Sequence, residues 1–173
     1  AIKRIFVHEQ LAEPFVAEVA RLSAALRYGD PYASDTEMGC VIDTDAAIQC
    51  ERRVADALTY AGTQLLVGHH RRGALYAPTV VDRVDPSCEL VHEETFGPVA
   101  PIMRFKSLEE VVSLSNGTAF GLASGICSDR PSVVSRDRRI DRALTGLQRA
   151  EHVGNGRSRR SSLRSSQCIT TIG

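Results

Sequence analysis

The segment Glu93-Glu94-Thr95-Phe96-Gly97-Pro98 sets a carboxylate two residues from an aromatic ring and ends in a turn-forming pair. A carboxylate such as Glu94 offers two acceptor oxygens to two adjacent donors. On the residues alone, Glu94 reads as a surface carboxylate before a turn and Phe96 as a core aromatic. The other reactive side chains form no constellation. Cys40, Cys50, Cys88, Cys127 and Cys168 are odd in number and include no C-x-x-C spacing. They read as free thiols of a reducing compartment, with neither a zinc site nor a disulfide framework. Cys40 and Cys127 have apolar neighbours and are expected in the core, and Cys88 in a loop. His69 and His70 are adjacent, so on an extended chain they point opposite ways and do not readily share a metal. With Arg71 and Arg72 they read as a solvated loop. Nothing singles out His92. No catalytic or metal-ligating set is assigned.

Alternating strands and helices are expected to position these residues. Lys3 to His8 reads as a buried strand. In Leu11 to Leu26, the residues Phe15, Val19, Leu22 and Leu26 share one helical face, and Pro14 suits the first turn. A second helix runs from Asp45 to Ala61, with Thr44 as its cap and Gly62 left-handed beyond its end. Leu65-Leu66-Val67 is expected as a buried strand, and Ala77 to Val81 as extended chain. Val99 to Phe105 is a strand that Pro98 and Pro101 confine to an edge or an irregular start. Ser107 caps a helix from Leu108 to Leu114, and Leu122 to Cys127 is a last strand. This order predicts an α/β fold, a mainly parallel sheet with helices on both faces. In such sheets ligands gather at the carboxyl rim, where Glu94 is expected to stand exposed.

Composition divides the 173 residues at about residue 130. Residues 1–130 carry 12 Lys or Arg against 18 Asp or Glu, whereas residues 131–173 carry nine Arg against three acids. All seven prolines and all nine aromatic residues precede Ser132. Val133 to Leu147 reads as one basic helix. Gly154 to Ser166 has too little apolar area to offset the entropy of ordering and reads as poorly ordered. No apolar run reaches the 18 or more residues of a membrane helix, and no signal pattern opens the chain, so it reads as cytoplasmic.

The Glu93–Pro98 segment resembles the E-x-F-G-P motif of the aldehyde dehydrogenase superfamily. Four further stretches agree in order and spacing: Leu26-Arg27-Tyr28-Gly29-Asp30-Pro31, Met38-Gly39, Tyr76-Ala77-Pro78-Thr79 and Asn116-Gly117-Thr118-Ala119-Phe120-Gly121-Leu122. The resemblance covers residues 1–130. Lys3-Arg4, Arg27 to Pro31 and Gly73-Ala74-Leu75-Tyr76 look most like the branch that oxidises phosphonoacetaldehyde. The resemblance implies a partial catalytic domain, with NAD or NADP as cofactor, an aldehyde as substrate and a homo-oligomeric parent enzyme. It implies that Glu94 accepts hydrogen bonds from the nicotinamide ribose hydroxyls and that Phe96 packs beside the nicotinamide. It also implies that the cysteine nucleophile lies about two residues before Ala1, with the general-base glutamate and the oxyanion-hole asparagine farther upstream. The chain alone is therefore expected to be inactive.

After Arg130 the family's aromatic stretch, glycine-rich return and final strand are not recognisable. The abrupt loss of aromatics and rise of Arg and Ser read as a shifted reading frame. A one-base shift across Gln148 to Gly156 allows Asn-Val followed by Trp-Glu. The alternative reading is a small α/β binding protein whose arginine-rich arm engages nucleic acid or another acidic partner. The acidic first 130 residues and the lack of interleaved aromatics disfavour it.

Overall fold

The computed structural model describes residues 2–118, 123–128 and 167–172. The basic helix expected at Val133–Leu147, the segment Gly154–Ser166 and the shifted-frame stretch Gln148–Gly156 lie outside the described residues. In chain order the elements are β1 (Ile2–His8), α1 (Glu9–Ala25), α2 (Thr44–Ala57), β2 (Gln64–Val67), β3 (Arg71–Arg72), β4 (Leu75–Tyr76) and β5 (Thr79–Asp82). They continue as α3 (Glu89–His92), β6 (Val99–Phe105), α4 (Leu108–Asn116), β7 (Ala123–Ser128) and β8 (Gln167–Ile172). Among these described elements, no helix is long and apolar enough to cross a membrane.

Period-two alternation builds the sheet. Phe6, Val81, Met103 and Phe105 pack with Ala47, Cys50 and Val54 of α2 and Val111 of α4. Ile5, Val7, Val80 and Ile102 belong to a second cluster with Ala12 and Val16 of α1. Successive strand residues therefore feed two cores, one under each helical layer. The strand order is β2-β5-β6-β1-β8-β7. β5 pairs parallel with β6 and β6 with β1, while β2, β8 and β7 join through antiparallel ladders. Four of the six strands of this sheet thus run in one direction, and β3 pairs separately with β4; this is the α/β fold with helices on both faces that the sequence predicts.

Several local expectations are corrected. α1 begins two residues before Leu11 because His8 caps it: Nδ1 accepts from the Gln10 N–H at 3.3 Å. The other ring nitrogen, Nε2, then donates to the Lys106 carbonyl at 3.1 Å. Pro14 is consequently the sixth helical residue rather than part of the first turn. α2 is capped by Asp43, whose Oδ1 accepts from Ala46 N at 2.7 Å, and it ends at Ala57. Gly62, beyond a further turn, takes the expected left-handed backbone at φ +90°.

β6 is central, not an edge. Its register with β5 includes Val81↔Pro101, but its ladder with β1 opens at Ile5↔Ile102, one residue past the proline. The missing N–H therefore falls outside that ladder. β2 is the edge instead, and its Leu65 and Leu66 are exposed. β8 was not legible in the sequence. It inserts between β1 and β7, with Ile5↔Thr170 on one side and Gly125↔Thr170 on the other.

Candidate functional site

Glu94 and Phe96 lie on the loop that leaves α3 and enters β6. Two tight turns shape it, Gly97 N–H donating to Thr95 O at 3.1 Å and Val99 N–H to Gly97 O at 2.9 Å. Pro98 O then accepts from Thr79 N at 2.8 Å, which ties the loop to the first residue of β5. Gly97 is required by close approach: a Cβ there would stand 2.2 Å from Cys50 Sγ on α2. The Cys50 thiol lies 3.8 Å from the Phe96 carbonyl, to which it donates, and burial raises its pKa. Such a thiol stays protonated and is a packing group rather than a nucleophile.

Two cations hold the loop from inside the protein. Arg53, on α2, is only 5% exposed. Its Nη1 donates to the Glu94 carbonyl and, at 3.1 Å, to Thr95 Oγ1. Its Nε donates at 3.1 Å to Glu89 Oε1, and Arg52 binds the same carboxylate from the solvent side. The second cation is Lys3, near the amino end of β1, with a side chain 14% exposed. Its ammonium donates to Thr95 O at 3.0 Å, lies 3.7 Å from Glu94 Oε1, and sits 4.3 Å from the centroid of the Phe96 ring. Burial lowers the Lys3 pKa, and Glu94 opposes that shift.

The two side chains named from the sequence face solvent together. Glu94 has a 44% exposed side chain, and Phe96 is 67% exposed, so Phe96 is not the core aromatic expected from its type. Phe96, Gly97 and Pro98 form one wall of a groove of about 820 Å³, opposite Met38 to Asp43 and Gln49. That volume suits a small-molecule cleft. The groove's wall of apolar side chains and an unburied phenyl suits a planar ring. The adjacent carboxylate suits vicinal hydroxyls.

The expected rim is overturned, and with it the support that the rim rule lends to a ligand at Glu94. The loop precedes β6, and Lys3 lies at the start of the parallel neighbour β1, so Glu94 stands at the amino ends of β1, β5 and β6 rather than at the carboxyl rim. The carboxyl-rim rule describes ligands at the switch point of an open doubly wound sheet. In this chain the carboxyl end of β1 runs straight into α1, which the His8 cap closes.

The remaining candidates separate from this loop. Cys127 is exposed on β7, and Cys40 is exposed among the groove residues, so neither is in the core. Cys88 caps α3 and is buried. His69 is half-buried at φ +62°, with Nδ1 2.9 Å from Oη of Tyr76 on β4, so it packs against that strand rather than standing in a solvated loop. His70 and His92 are exposed. Arg71 binds Glu51 at 2.8 Å.

Sequence reasoning passed over Arg4, Arg53 and the contact role of Lys3. Arg4 is buried, and its guanidinium donates to Leu114 O at 3.2 Å and Ser115 O at 3.1 Å, capping the end of α4. The signal for Arg53 was its place on the apolar stripe of α2, three residues after Cys50 and beside Val54.

The aldehyde dehydrogenase family model matches residues 1–144. Sulfoacetaldehyde dehydrogenase of Neptuniibacter caesariensis is 36% identical over 134 residues, 78% of this chain and 29% of the relative. The 3-sulfolactaldehyde dehydrogenase of Pseudomonas putida is 40% identical over 124 residues, 70% of this chain and 25% of the relative. Among solved structures, glyceraldehyde-3-phosphate dehydrogenase GapN of Methanocaldococcus jannaschii, complexed with NADP, aligns with a TM-score of 0.65 and 34% identity. It covers 69% of this chain and 26% of that one. The chain thus spans between a quarter and a third of the length of these relatives. The motif loop, the groove beside it and a match across most of the sequence converge on one conclusion: this chain belongs to the aldehyde dehydrogenase family.

Proposed function

We propose that these residues form part of a catalytic domain that oxidises an aldehyde to the carboxylic acid with NAD or NADP, and that Glu94 and Phe96 grip the nicotinamide end of the dinucleotide. The observation that carries this reading is the joint exposure of the Glu94 carboxylate and the Phe96 ring, the ring lining an apolar groove, on a loop anchored by the buried Arg53 and the half-buried Lys3. A large apolar side chain left two-thirds exposed while its backbone is held in place is suited to a ligand. Glu94 would accept from the two ribose hydroxyls, Phe96 would stack against the nicotinamide, and Gly97 lets the loop pass close over Cys50. When bound, the dinucleotide supplies the hydride acceptor.

The reading extends to the substrate and the protein's organisation. Sulfoacetaldehyde, 3-sulfolactaldehyde and glyceraldehyde 3-phosphate, named for the relatives, are all aldehydes that carry an anionic group. With Lys3-Arg4 and the Arg27 to Pro31 segment, this supports a phosphonate- or sulfonate-bearing aldehyde, phosphonoacetaldehyde first among them. In the resembled family a cysteine shortly before the residue matching Ala1 attacks the aldehyde to form a thiohemiacetal. A residue just ahead of β1 would lie at the same amino rim as Glu94, which supports the reading. Residues 1–173 alone are then expected to give no aldehyde-dependent NADH formation. We keep residues 1–130 as the family-like body, with the family match running on to residue 144, and 131–173 as a divergent segment of shifted frame that still contributes β8 to the sheet, and place the protein as a cytoplasmic homo-oligomer.

Saturation-transfer NMR with nicotinamide mononucleotide tests the reading on the chain itself. Transfer to the nicotinamide protons that Phe96→Ala and Glu94→Ala each weaken supports it. Transfer unchanged by both substitutions, or no transfer to the unmodified chain, overturns it. Sequencing the gene through the codons for 131–173 and upstream of Ala1 tests the frame shift and the nucleophile. An intact frame with no family-like alternative rejects the former, and the absence of a Gly-Gln-x-Cys-Thr segment rejects the latter.

A further inference from the structure

We propose that Lys3 is a positioning residue for the dinucleotide site, holding the Glu94 carboxylate and the Phe96 ring in their shared pose from beneath the loop. The inference rests on the reading of Glu94 and Phe96 given above and adds a residue to it. Its basis is a division of labour between the two cations. Arg53 binds groups that fix the loop's course, namely the Glu94 carbonyl, Thr95 Oγ1 and the α3 residue Glu89. Lys3 also meets the main chain, at Thr95 O, but it reaches both outward-facing side chains: the Glu94 carboxylate at 3.7 Å and the Phe96 ring at 4.3 Å.

An ammonium taken largely out of water loses hydration that must be replaced by partners. An unengaged lysine at a strand end extends its flexible stem and keeps its head solvated. Lys3 instead keeps its head beneath the loop, and its partners there are a carbonyl, a carboxylate and the face of an aromatic ring. The geometry acts on the two groups in different ways. The carboxylate is biased toward one rotamer, which lowers the entropy lost when it accepts two hydroxyl donors. The ring is held by one face, which leaves its other face for a planar ligand. Lys3 touches no ligand itself and acts through Glu94 and Phe96.

The test uses the whole chain with nicotinamide mononucleotide as probe, in the unmodified form and as Lys3→Met, Lys3→Arg, Glu94→Ala and the Lys3→Met/Glu94→Ala double variant. Affinity is read by NMR titration and loop order by hydrogen exchange of the Gly97 amide without ligand. Gly97 N–H shares the Thr95 carbonyl with Lys3. Lys3→Met is expected to weaken binding about tenfold and to speed Gly97 exchange by a similar factor, with Lys3→Arg restoring both to within about threefold. Once Glu94 is alanine, Lys3→Met should weaken binding by much less than in the native background. Equal losses in both backgrounds overturn the proposal, as does a Lys3→Met variant that binds like the unmodified chain while Glu94→Ala does not. Absence of any binding to the unmodified chain refutes the cofactor reading instead. Gly97 exchange unchanged by Lys3→Met refutes the Lys3 proposal whatever the probe does.

Discussion

Gly97 and Cys50 approach so closely that a methyl group on the glycine would stand 2.2 Å from the Cys50 sulfur. The contact joins the Phe96 loop to the buried face of α2. Gly97→Ala must therefore push the loop off the helix or the sulfur into the core. Overpacking of this kind costs about 1–3 kcal/mol. Removing the sulfur with Cys50→Ala opens that space, so the double variant should lose less stability than the two single losses combined. Denaturant midpoints of the four proteins measure this directly. A Gly97→Ala cost that is the same with and without the sulfur contradicts it.

The paired arginines of α2 look alike in sequence and differ in consequence. Arg53 is buried and serves Glu94 O, Thr95 Oγ1 and Glu89, whereas Arg52 is exposed and serves Glu89 alone among these. Arg53→Met leaves buried acceptors of the loop without a donor and is expected to cost about 1–3 kcal/mol. Arg52→Met removes a solvent-screened ion pair and should cost less than about 1 kcal/mol. Thermal unfolding of the two variants ranks them, and a reversed order refutes the assignment.

What the sequence disclosed follows from the range of the interactions involved. Periodicity located β1, α1, α2, β6 and α4, because those signals are local and each element buries one face. Helix starts shift by one or two residues where a neighbouring polar side chain caps instead, as His8 does ahead of Leu11 and Asp43 does beside Thr44. Pro101 marks an edge only where its missing N–H would fall within a ladder, and the β1 ladder begins one residue past it, which the sequence does not reveal. Glu94 and Phe96 were visible as a motif, but the cations that hold them come from 91 and 41 residues away in sequence, for Lys3–Glu94 and Arg53–Glu94, and no local pattern links such positions. The exposure of Phe96 contradicts its type.

The last strand makes a claim on the tail. β8 supplies β7 with its ladder and covers one edge of β1. Deleting residues 167–173 should leave both strand edges open, lower Tm by about 5 °C or more and promote self-association. Thr170→Pro tests the pairing without shortening the chain, since it removes a backbone donor from a strand flanked on both sides. Hydrogen exchange of the β1 and β7 amides and light scattering report the outcome. Unchanged protection in both variants would show that β8 contributes nothing to the sheet.

Tyr76, on β4, couples folding to alkaline pH. Its ring is fully buried, its hydroxyl lies 2.9 Å from His69 Nδ1, and burial pushes its pKa from the usual 10.0 up to about 12. The folded state therefore holds the phenolic proton more tightly than the unfolded chain does. The stability tied to that difference is fully present below pH 10 and is lost as the pH rises from there toward about 12. In that window one such group changes the unfolding free energy by at most about 1.4 kcal/mol per pH unit. Tyr76→Phe keeps the ring and removes the titrating proton, together with the hydrogen bond to His69. The variant should be less stable at neutral pH, and its stability should fall less steeply above pH 10 than that of the unmodified chain. Urea unfolding followed across the window gives both curves. Curves that stay parallel would show that the phenol of Tyr76 does not titrate in step with unfolding.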